Sequence, residues 1–293
     1  MELKGKSVII FGGRTGLLGQ ALTRAFRLAG ARPVPLSSQD CDILDPRGVD
    51  LLLDRRDPDL MVNAAAYTQV DLAEDQEEMA FALNATAPPL LASLAAKRLI
   101  PFVHFSTDFV FCGNKHTPYL PYDDPCPFSV YGISKADGER GLLRFGYERT
   151  LIIRISWLFG PGRTNFVDKI LSLCETRGTI SVVNDQTGSP SYTPDVAVNT
   201  LALLAHDATG IHHVANSGET TWHGLASEAV ALAGLDCTVE PVPTSAYPTK
   251  AVRPAYSVLD LSRFIQTTGV TPRHWKQALA DYVLGDLRRG SVI

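Results

Sequence analysis

The sequence predicts an α/β fold, a Rossmann-type doubly wound parallel sheet followed by a smaller C-terminal lobe, and three observations predict it. An apolar run, Ser7-Val8-Ile9-Ile10-Phe11, leads straight into Gly12-Gly13-Arg14-Thr15-Gly16-Leu17-Leu18-Gly19 and then into a helical pattern through Ala29. Apolar strand patterns then alternate with helical ones as far as Thr107, which is how parallel strands joined by crossover helices read. Beyond Gly160 that alternation fades. Residues 1–158, rejoined by about 193–216, are therefore expected to form a dinucleotide-binding domain, and 159–293 mainly the lobe.

Composition narrows the function classes. The 293 residues are 45% hydrophobic, enough for a sizeable core. A net charge of -4 with scattered arginines offers no basic field, so nucleic acid is not expected as a partner. Five cysteines, at 41, 112, 126, 174 and 237, show no C-x-x-C spacing. Neither a disulfide framework nor a zinc site is expected from them; free thiols in a reducing cytoplasm are. No apolar run reads as long enough for a membrane span of about 20 residues, and Val8 to Phe11 is too short for a signal peptide. No metal is expected: H-E-x-x-H is absent and His212-His213 reads as a strand edge.

Taken in order, Gly13, Gly16 and Gly19 form G-x-x-G-x-x-G directly after a buried strand. Missing side chains let the backbone turn, approach a pyrophosphate at a helix N-terminus, and pack helix on strand. The second strand, Arg32 to Leu36, ends in Ser37-Ser38, where NAD-preferring sites carry an acid for the ribose 2′-hydroxyl. With that acid missing and Arg14 in the loop, a 2′-phosphate is favoured, so NADPH is expected over NADH. Asp42-Ile43 lies by the adenine in this reading, or Asp42 caps a helix beginning near Pro46. The strand Leu60 to Asn63 continues into Ala64-Ala65-Ala66, small residues that leave room for a ligand, and then Tyr67-Thr68. Asp71, Glu74, Asp75, Glu77 and Glu78 read as the solvated first turns of a helix. A helix from about Asn84 to Ala96 leads to the strand Phe102 to Phe105 and to Ser106-Thr107-Asp108.

Residues 113–130, punctuated by Pro118, Pro121, Pro125 and Pro127, deliver the chain to Tyr131-Gly132-Ile133-Ser134-Lys135. A spacing of four puts the phenol and the ammonium on one helical face. An ammonium about 4 Å away favours the phenolate by roughly 3–4 kcal/mol, which would bring deprotonation towards neutrality. With Thr107 at a strand end upstream, a Thr, a Tyr and a Lys can surround one carbonyl oxygen. Next come the strand Leu151 to Ser156, then Trp157, a helix from about Asn165 to Thr176, and a strand Thr179 to Val183. A polar loop, Asn184 to Pro190, precedes a helix from about Pro194 to Ala205 and a strand Gly210 to Ala215 that is expected to return to the sheet. The lobe closes with a helix from Thr220 to Ala233, a strand near Val239, an Arg253-Pro254 loop able to fork onto a phosphate, and a helix from Pro272.

With these residues laid out, the chain resembles the extended short-chain dehydrogenase/reductases and, among them, the dTDP-4-dehydrorhamnose reductase family, nearly end to end. The glycine loop and the Tyr-Lys pair carry the superfamily. The narrower likeness rests on Asn63-Ala64-Ala65-Ala66-Tyr67-Thr68-Gln69-Val70-Asp71, Ser106-Thr107-Asp108-Phe109-Val110-Phe111, Ser156-Trp157-Leu158-Phe159-Gly160, Asp185-Gln186-Thr187-Gly188-Ser189-Pro190 and Arg253-Pro254. The resemblance implies NADPH-dependent reduction of the 4-keto group of dTDP-4-dehydro-L-rhamnose to dTDP-L-rhamnose. Tyr131 would protonate the forming alkoxide, Lys135 tune that phenol and hold the nicotinamide ribose, and Thr107 bond the carbonyl oxygen. The implied cofactor site is Gly13, Arg14, Thr15, Gly16, Leu17, Leu18, Gly19, Ser37, Asp42, Ile43, Ala64, Ala65, Ala66, Tyr131 and Lys135. The implied substrate site is Tyr67, Thr68, Val70, Asp108, Trp157, Gln186 and Arg253, with Arg253 on the nucleotide diphosphate. The family usually has Tyr where Phe109 stands and an acid near Cys112. A nucleotide-sugar dehydratase would carry Glu at the place of Phe109, which argues against dehydration. A reductase of another 4-keto nucleotide sugar, an NADP-binding regulatory subunit like that of methionine adenosyltransferase, and a homodimer all stay open.

Overall fold

The computed structural model describes residues 1–287; residues 288–293, assigned above to the end of the lobe, lie outside the described residues. All five residues of β1 (Ser7–Phe11) are buried, as a central parallel strand covered on both faces requires. α1 (Leu17–Leu28) turns Leu18, Leu22, Ala25 and Phe26 onto the sheet. β2 (Arg32–Leu36), α2 (Pro46–Arg56) and β3 (Leu60–Asn63) repeat the unit. α3 (Val70–Ala73) and α4 (Glu77–Phe81) lead through a π-turn at Ala82–Thr86 into α5 (Ala87–Lys97). β4 (Phe102–Thr107), α6 (Val130–Phe145) and β5 (Thr150–Ile155) follow. α6 is fixed at both ends: Ser129 Oγ accepts from Gly132 N at 3.1 Å, and Gly146 closes it at φ 69°.

The remaining elements are β6 (Leu158–Phe159), α7 (Phe166–Thr176), β7 (Thr179–Val183), β8 (Thr187–Gly188), β9 (Ser191–Tyr192), α8 (Thr193–Ala205) and β10 (Gly210–His213). After them come β11 (Thr220–Thr221), α9 (Trp222–Ala233), β12 (Thr238–Val242), α10 (Ser262–Thr268) and α11 (Trp275–Ala280).

Six strands pair in parallel in the order β2-β1-β3-β4-β5-β10. Alternate side chains serve opposite faces: Ile10, Val62, Val103 and Ile153 meet α1 and α8, while Ile9, Met61, Phe102 and Ile152 meet α2 and α5. The chain steps from β1 to β2 on one side and to β3 on the other, so a crevice opens outside the carboxyl ends of β1 and β3. Beside the sheet, β7 pairs with β12, and α7 and α9 pack with Trp275 and Tyr282 around a separate apolar cluster.

Four expectations are corrected here. Cys112 pairs with Cys126 and Cys174 with Cys237, leaving Cys41 free; separations of 14 and 63 residues carry no signal, because packing alone brings these thiols together. The inference of a reducing compartment from unpaired thiols therefore loses its ground. The run Glu77–Lys97 is, by length and composition, long and apolar enough to cross a membrane, with a mean hydropathy of 1.4. Its polar Asn84 and paired prolines obscured that in the sequence, and Ala87, Leu91, Ala92 and Ala95 of the run sit in the core. Asp45, rather than Asp42, caps α2, accepting from Arg47 N at 3.1 Å. The acidic run is also more than a solvated face: Glu74 accepts from Val130 N at 2.9 Å, and Asp71 and Asp75 hold Arg253 and Lys250.

Candidate active site

The crevice is a cavity of about 790 Å³ walled by the glycine loop, the ends of β3 and β4, the first turns of α6, and Trp157 and Trp222. Gly12, which the glycine pattern passed over, is the pivot. Its φ is +77°, and a Cβ there would meet Ala64 O at 2.8 Å, so only glycine lets β1 turn this close to β3. Gly12, Thr15, Gly16, Leu17 and Leu18 face the cavity, while Gly13 and Gly19 pack behind it. A Cβ on Gly19 would lie 2.0 Å from Gly12 O. The N-terminus of α1 has no side-chain cap and no acid in its first turn, so its amides are left for an anion. Ser106 Oγ is buried beside the cavity without a hydrogen-bond partner among the described residues. A dinucleotide fits these residues: bare backbone for a diphosphate, small Ala64, Ala65 and Ala66, and an unused hydroxyl.

Ser37, Asp42 and Ile43 also line the cavity. Arg14 does not; it pairs with Asp40 at 3.2 Å. Asp40 accepts from Ser37 N at 2.8 Å and Ser37 Oγ at 2.6 Å, bonds that hold its carboxyl below the usual range. The acid missing at Ser37-Ser38 thus arrives three residues later, folded back on the strand end.

Thr107 and Tyr131 meet at the inner end. Thr107 Oγ1 accepts from Phe109 N at 3.2 Å and donates to Asp108 Oδ1 at 3.0 Å, and its hydroxyl acts on the Tyr131 phenol. Burial pushes that phenol up to about 12, with the Thr107 bond opposing and the Asp108 charge adding. Lys135 does not act as the spacing suggested. Its Nζ donates to Phe105 O at 2.6 Å and lies 3.2 Å from His104 Nε2, and burial pulls its pKa to about 8, with Glu139 opposing. Burial likewise takes His104 well below its ordinary value. Sharing a helical face aligned the two side chains, but the lysine reaches down into the sheet, so desolvation rather than the ammonium governs the phenol. A phenol that stays protonated at neutral pH is a proton donor. Phe109 stands edge-on to Tyr131, ring centroids 5.5 Å apart.

Thr68, Val70, Asp108, Trp157 and Arg253 also line the cavity. Trp157 has φ 44°, a left-handed conformation that costs a bulky residue energy and persists where the surroundings enforce it. Its ring stacks on Trp222 at 3.6 Å, nearly parallel, and Gly188 lies so close behind that a Cβ would meet Trp157 Cε2 at 2.4 Å. Two expected contacts are absent from the cavity wall. The backbone of Tyr67 is held by the Asn84 amide at 2.9 and 3.0 Å and its hydroxyl by Gln76 at 3.0 Å, while Gln186 Nε2 donates to Thr244 at 2.9 Å. Arg253 is present, but its fork grips Asp71 at 3.1 and 2.7 Å. Sequence reasoning assigned no role to Gly12, Ser106, Arg163 and Trp222, which also line the cavity; the Gly12-Gly13 doublet and the Ser106-Thr107-Asp108 strand end carried a signal, Arg163 and Trp222 none.

A model of the RmlD substrate binding domain family matches residues 6–287. The chain is 38% identical over 275 residues to the spore coat polysaccharide biosynthesis protein SpsK of Bacillus subtilis, covering 94% of this chain and 96% of that one. It is 36% identical over 269 residues to the dTDP-4-keto-6-deoxy-D-glucose reductase of Streptomyces niveus, covering 91% and 93%. Among solved structures, dTDP-4-dehydrorhamnose reductase from Bacillus anthracis in complex with NADP superposes with a TM-score of 0.91 at 30% identity, covering 96% of this chain and 99% of that one. With the matched span running from before β1 to the last described residue, this chain belongs to the RmlD substrate-binding domain family.

Proposed function

We propose that the chain reduces the 4-keto group of dTDP-4-dehydro-L-rhamnose with NADPH, giving dTDP-L-rhamnose. The observation that carries this reading is a phenol kept protonated beside Thr107, in one cavity with a bare glycine loop and an indole wall. Gly12 and the Thr15 to Leu18 backbone would hold the cofactor diphosphate, Ser37, Asp42 and Ile43 its adenosine, and Lys135 its ribose. When bound, the reduced nicotinamide supplies a hydride. Tyr131 gives the ketone oxygen its proton as charge develops there, and the stacked indoles of Trp157 and Trp222 help exclude water from the cavity. Residues 1–158 with about 193–216 would carry the cofactor, and the rest mainly the sugar nucleotide.

The test is loss of NADPH absorbance with a panel of 4-keto nucleotide sugars. Turnover with the dehydrorhamnose nucleotide is expected; tight NADPH binding without turnover on any sugar would hand the protein to the regulatory reading. The likeness to the Streptomyces niveus enzyme favours one second reading, a reductase of another 4-keto deoxysugar, and the same panel ranks the two.

Two variants probe the ligand assignments. Arg14→Ala leaves Asp40 unscreened beside Ser37, so the preference for NADPH over NADH should erode; an unchanged ratio of kcat/KM values would remove Arg14 from cofactor selection. Arg253→Ala removes a fork that either shares or exchanges Asp71 for a diphosphate. Its loss should raise the sugar-nucleotide KM about ten- to a hundredfold with little change in NADPH affinity. The reverse pattern would make Arg253 a cofactor or scaffold residue.

A further inference from the structure

Where β4 leaves the sheet, three buried side chains form a chain of hydrogen bonds in which only Thr107 has been given a part in the reaction. Asp108 is 2% exposed, Thr107 6% and Ser257 1%. Asp108 Oδ2 accepts from Ser257 Oγ at 2.7 Å, and Asp108 Oδ1 accepts from Thr107 Oγ1 at 3.0 Å. A threonine hydroxyl has one hydrogen. While Asp108 is a carboxylate that hydrogen is committed to it, and Thr107 can offer a carbonyl oxygen only lone pairs. Once a proton sits on Asp108 Oδ1 the bond can reverse: the carboxyl donates to Thr107 Oγ1, and the threonine hydrogen is released towards the cavity.

We propose that Asp108 is a positioning residue whose protonation state sets the direction of the Thr107 hydroxyl, that its neutral form is the one that reduces the ketone, and that Ser257 biases that state. The inference rests on the reductase reading above. Neutral Asp108 lets Thr107 and Tyr131 both donate to the forming alkoxide; ionised Asp108 withdraws one donor and places a like charge beside the oxyanion. No proton leaves Asp108 in the reaction, since Tyr131 supplies the one the alkoxide takes.

The surroundings agree. Burial raises the Asp108 carboxyl to about 6, with the Ser257 and Thr107 bonds opposing. From α6, the Tyr131 phenol feels the Asp108 charge, while Lys135 is turned away to Phe105 O and His104 on β4. From the loop that carries Ser257, Arg253 is engaged by Asp71. Among the described residues no ion pair includes Asp108, so nothing cationic holds it ionised.

The experiment is kcat against pH, from about pH 5 to about pH 8.5, at saturating NADPH and 4-keto nucleotide sugar, for the parent protein and three variants. The parent should lose about tenfold in kcat per pH unit above the Asp108 midpoint. Asp108→Asn should flatten the profile: with Ser257 donating to the amide oxygen, its NH₂ faces Thr107 and donates at every pH. Ser257→Ala removes a donor that favours the charged form, so the fall should move up by about one pH unit, and Ser257→Thr should restore it. A parent profile without this fall, Asp108→Asn silent at every pH, or a Ser257→Ala midpoint that does not move would each overturn the proposal while leaving the reductase intact. A parent without turnover on any 4-keto nucleotide sugar would remove the reductase reading and this proposal together.

Discussion

Tyr131→Phe lowers turnover by about 10²- to 10⁴-fold while fold and NADPH affinity stay nearly unchanged. Hydride delivery to a ketone leaves an alkoxide that needs a proton from within the cavity. The Tyr131 phenol, held near 12 by burial, is protonated and beside Thr107, and the Thr107 hydrogen is directed to Asp108. Phenylalanine keeps the ring and its edge contact with Phe109 but leaves the oxyanion to water or to a threonine that is partly committed elsewhere. The hydroxyl is one member of the implied cofactor site and the rest of that site is unaltered, so cofactor binding should change little. Single-turnover hydride transfer set against an NADPH titration separates the two effects. Equal rates in parent and variant would mean that the proton donor is another group.

Glu139→Ala should cost about 3–5 kcal/mol of stability and, for a chain of this size, lower the thermal midpoint by roughly 10 °C or more. Arg154 on β5 is buried at 1% exposure, and its fork meets Glu139 of α6 at 2.9 and 2.6 Å. It also donates to Pro121 O at 3.2 Å and lies 4.9 Å over the Phe111 ring. Deleting the carboxylate strands a guanidinium in the interior. The double variant Glu139→Leu/Arg154→Met, which removes both charges, should recover most of the loss, because the penalty belongs to the unpaired charge. Thermal and denaturant unfolding read both. A Glu139→Ala protein as stable as the parent would show that water or another anion reaches Arg154. The same pair seats α6 on β5, and Glu139 is the group that supports the Lys135 charge, so the single variant should also pull Lys135 below about 8.

The sequence made the sheet legible because its inner strands are short, largely apolar runs, two of them closed by small residues: Ser7 to Phe11 before the glycines, Leu60 to Asn63 before the alanines. The Tyr131 to Lys135 spacing likewise showed which helical face the pair shares. What spacing could not show is depth. Lys135 and Tyr131 project from one face, yet only the packing against β4 sends the ammonium to Phe105 O and His104 instead of the phenol. Partners distant in the chain were invisible for the same reason: Trp222 against Trp157, Arg154 against Glu139, Cys112 against Cys126. Asp40 was within reach of Arg14 and Ser37 only because the chain folds back after β2, which no pattern of residue types announces. Conversely, the Asp185 to Pro190 stretch was distinctive as a motif, but much of it is scaffold: Asp185 and Gln186 hold Thr244, and Gly188 makes room for the Trp157 ring.

The assignment of cofactor, substrate and reacting atom meets in one experiment: the protein is incubated with NADPH carrying deuterium on the transferable position of the nicotinamide and with dTDP-4-dehydro-L-rhamnose, and the nucleotide-sugar product is read by NMR. Deuterium at C4 of a dTDP-L-rhamnose product, formed rapidly by the parent and far more slowly by Tyr131→Phe, is the result expected. Cofactor oxidation without label at that carbon, or cofactor bound tightly with no labelled sugar formed, would contradict it.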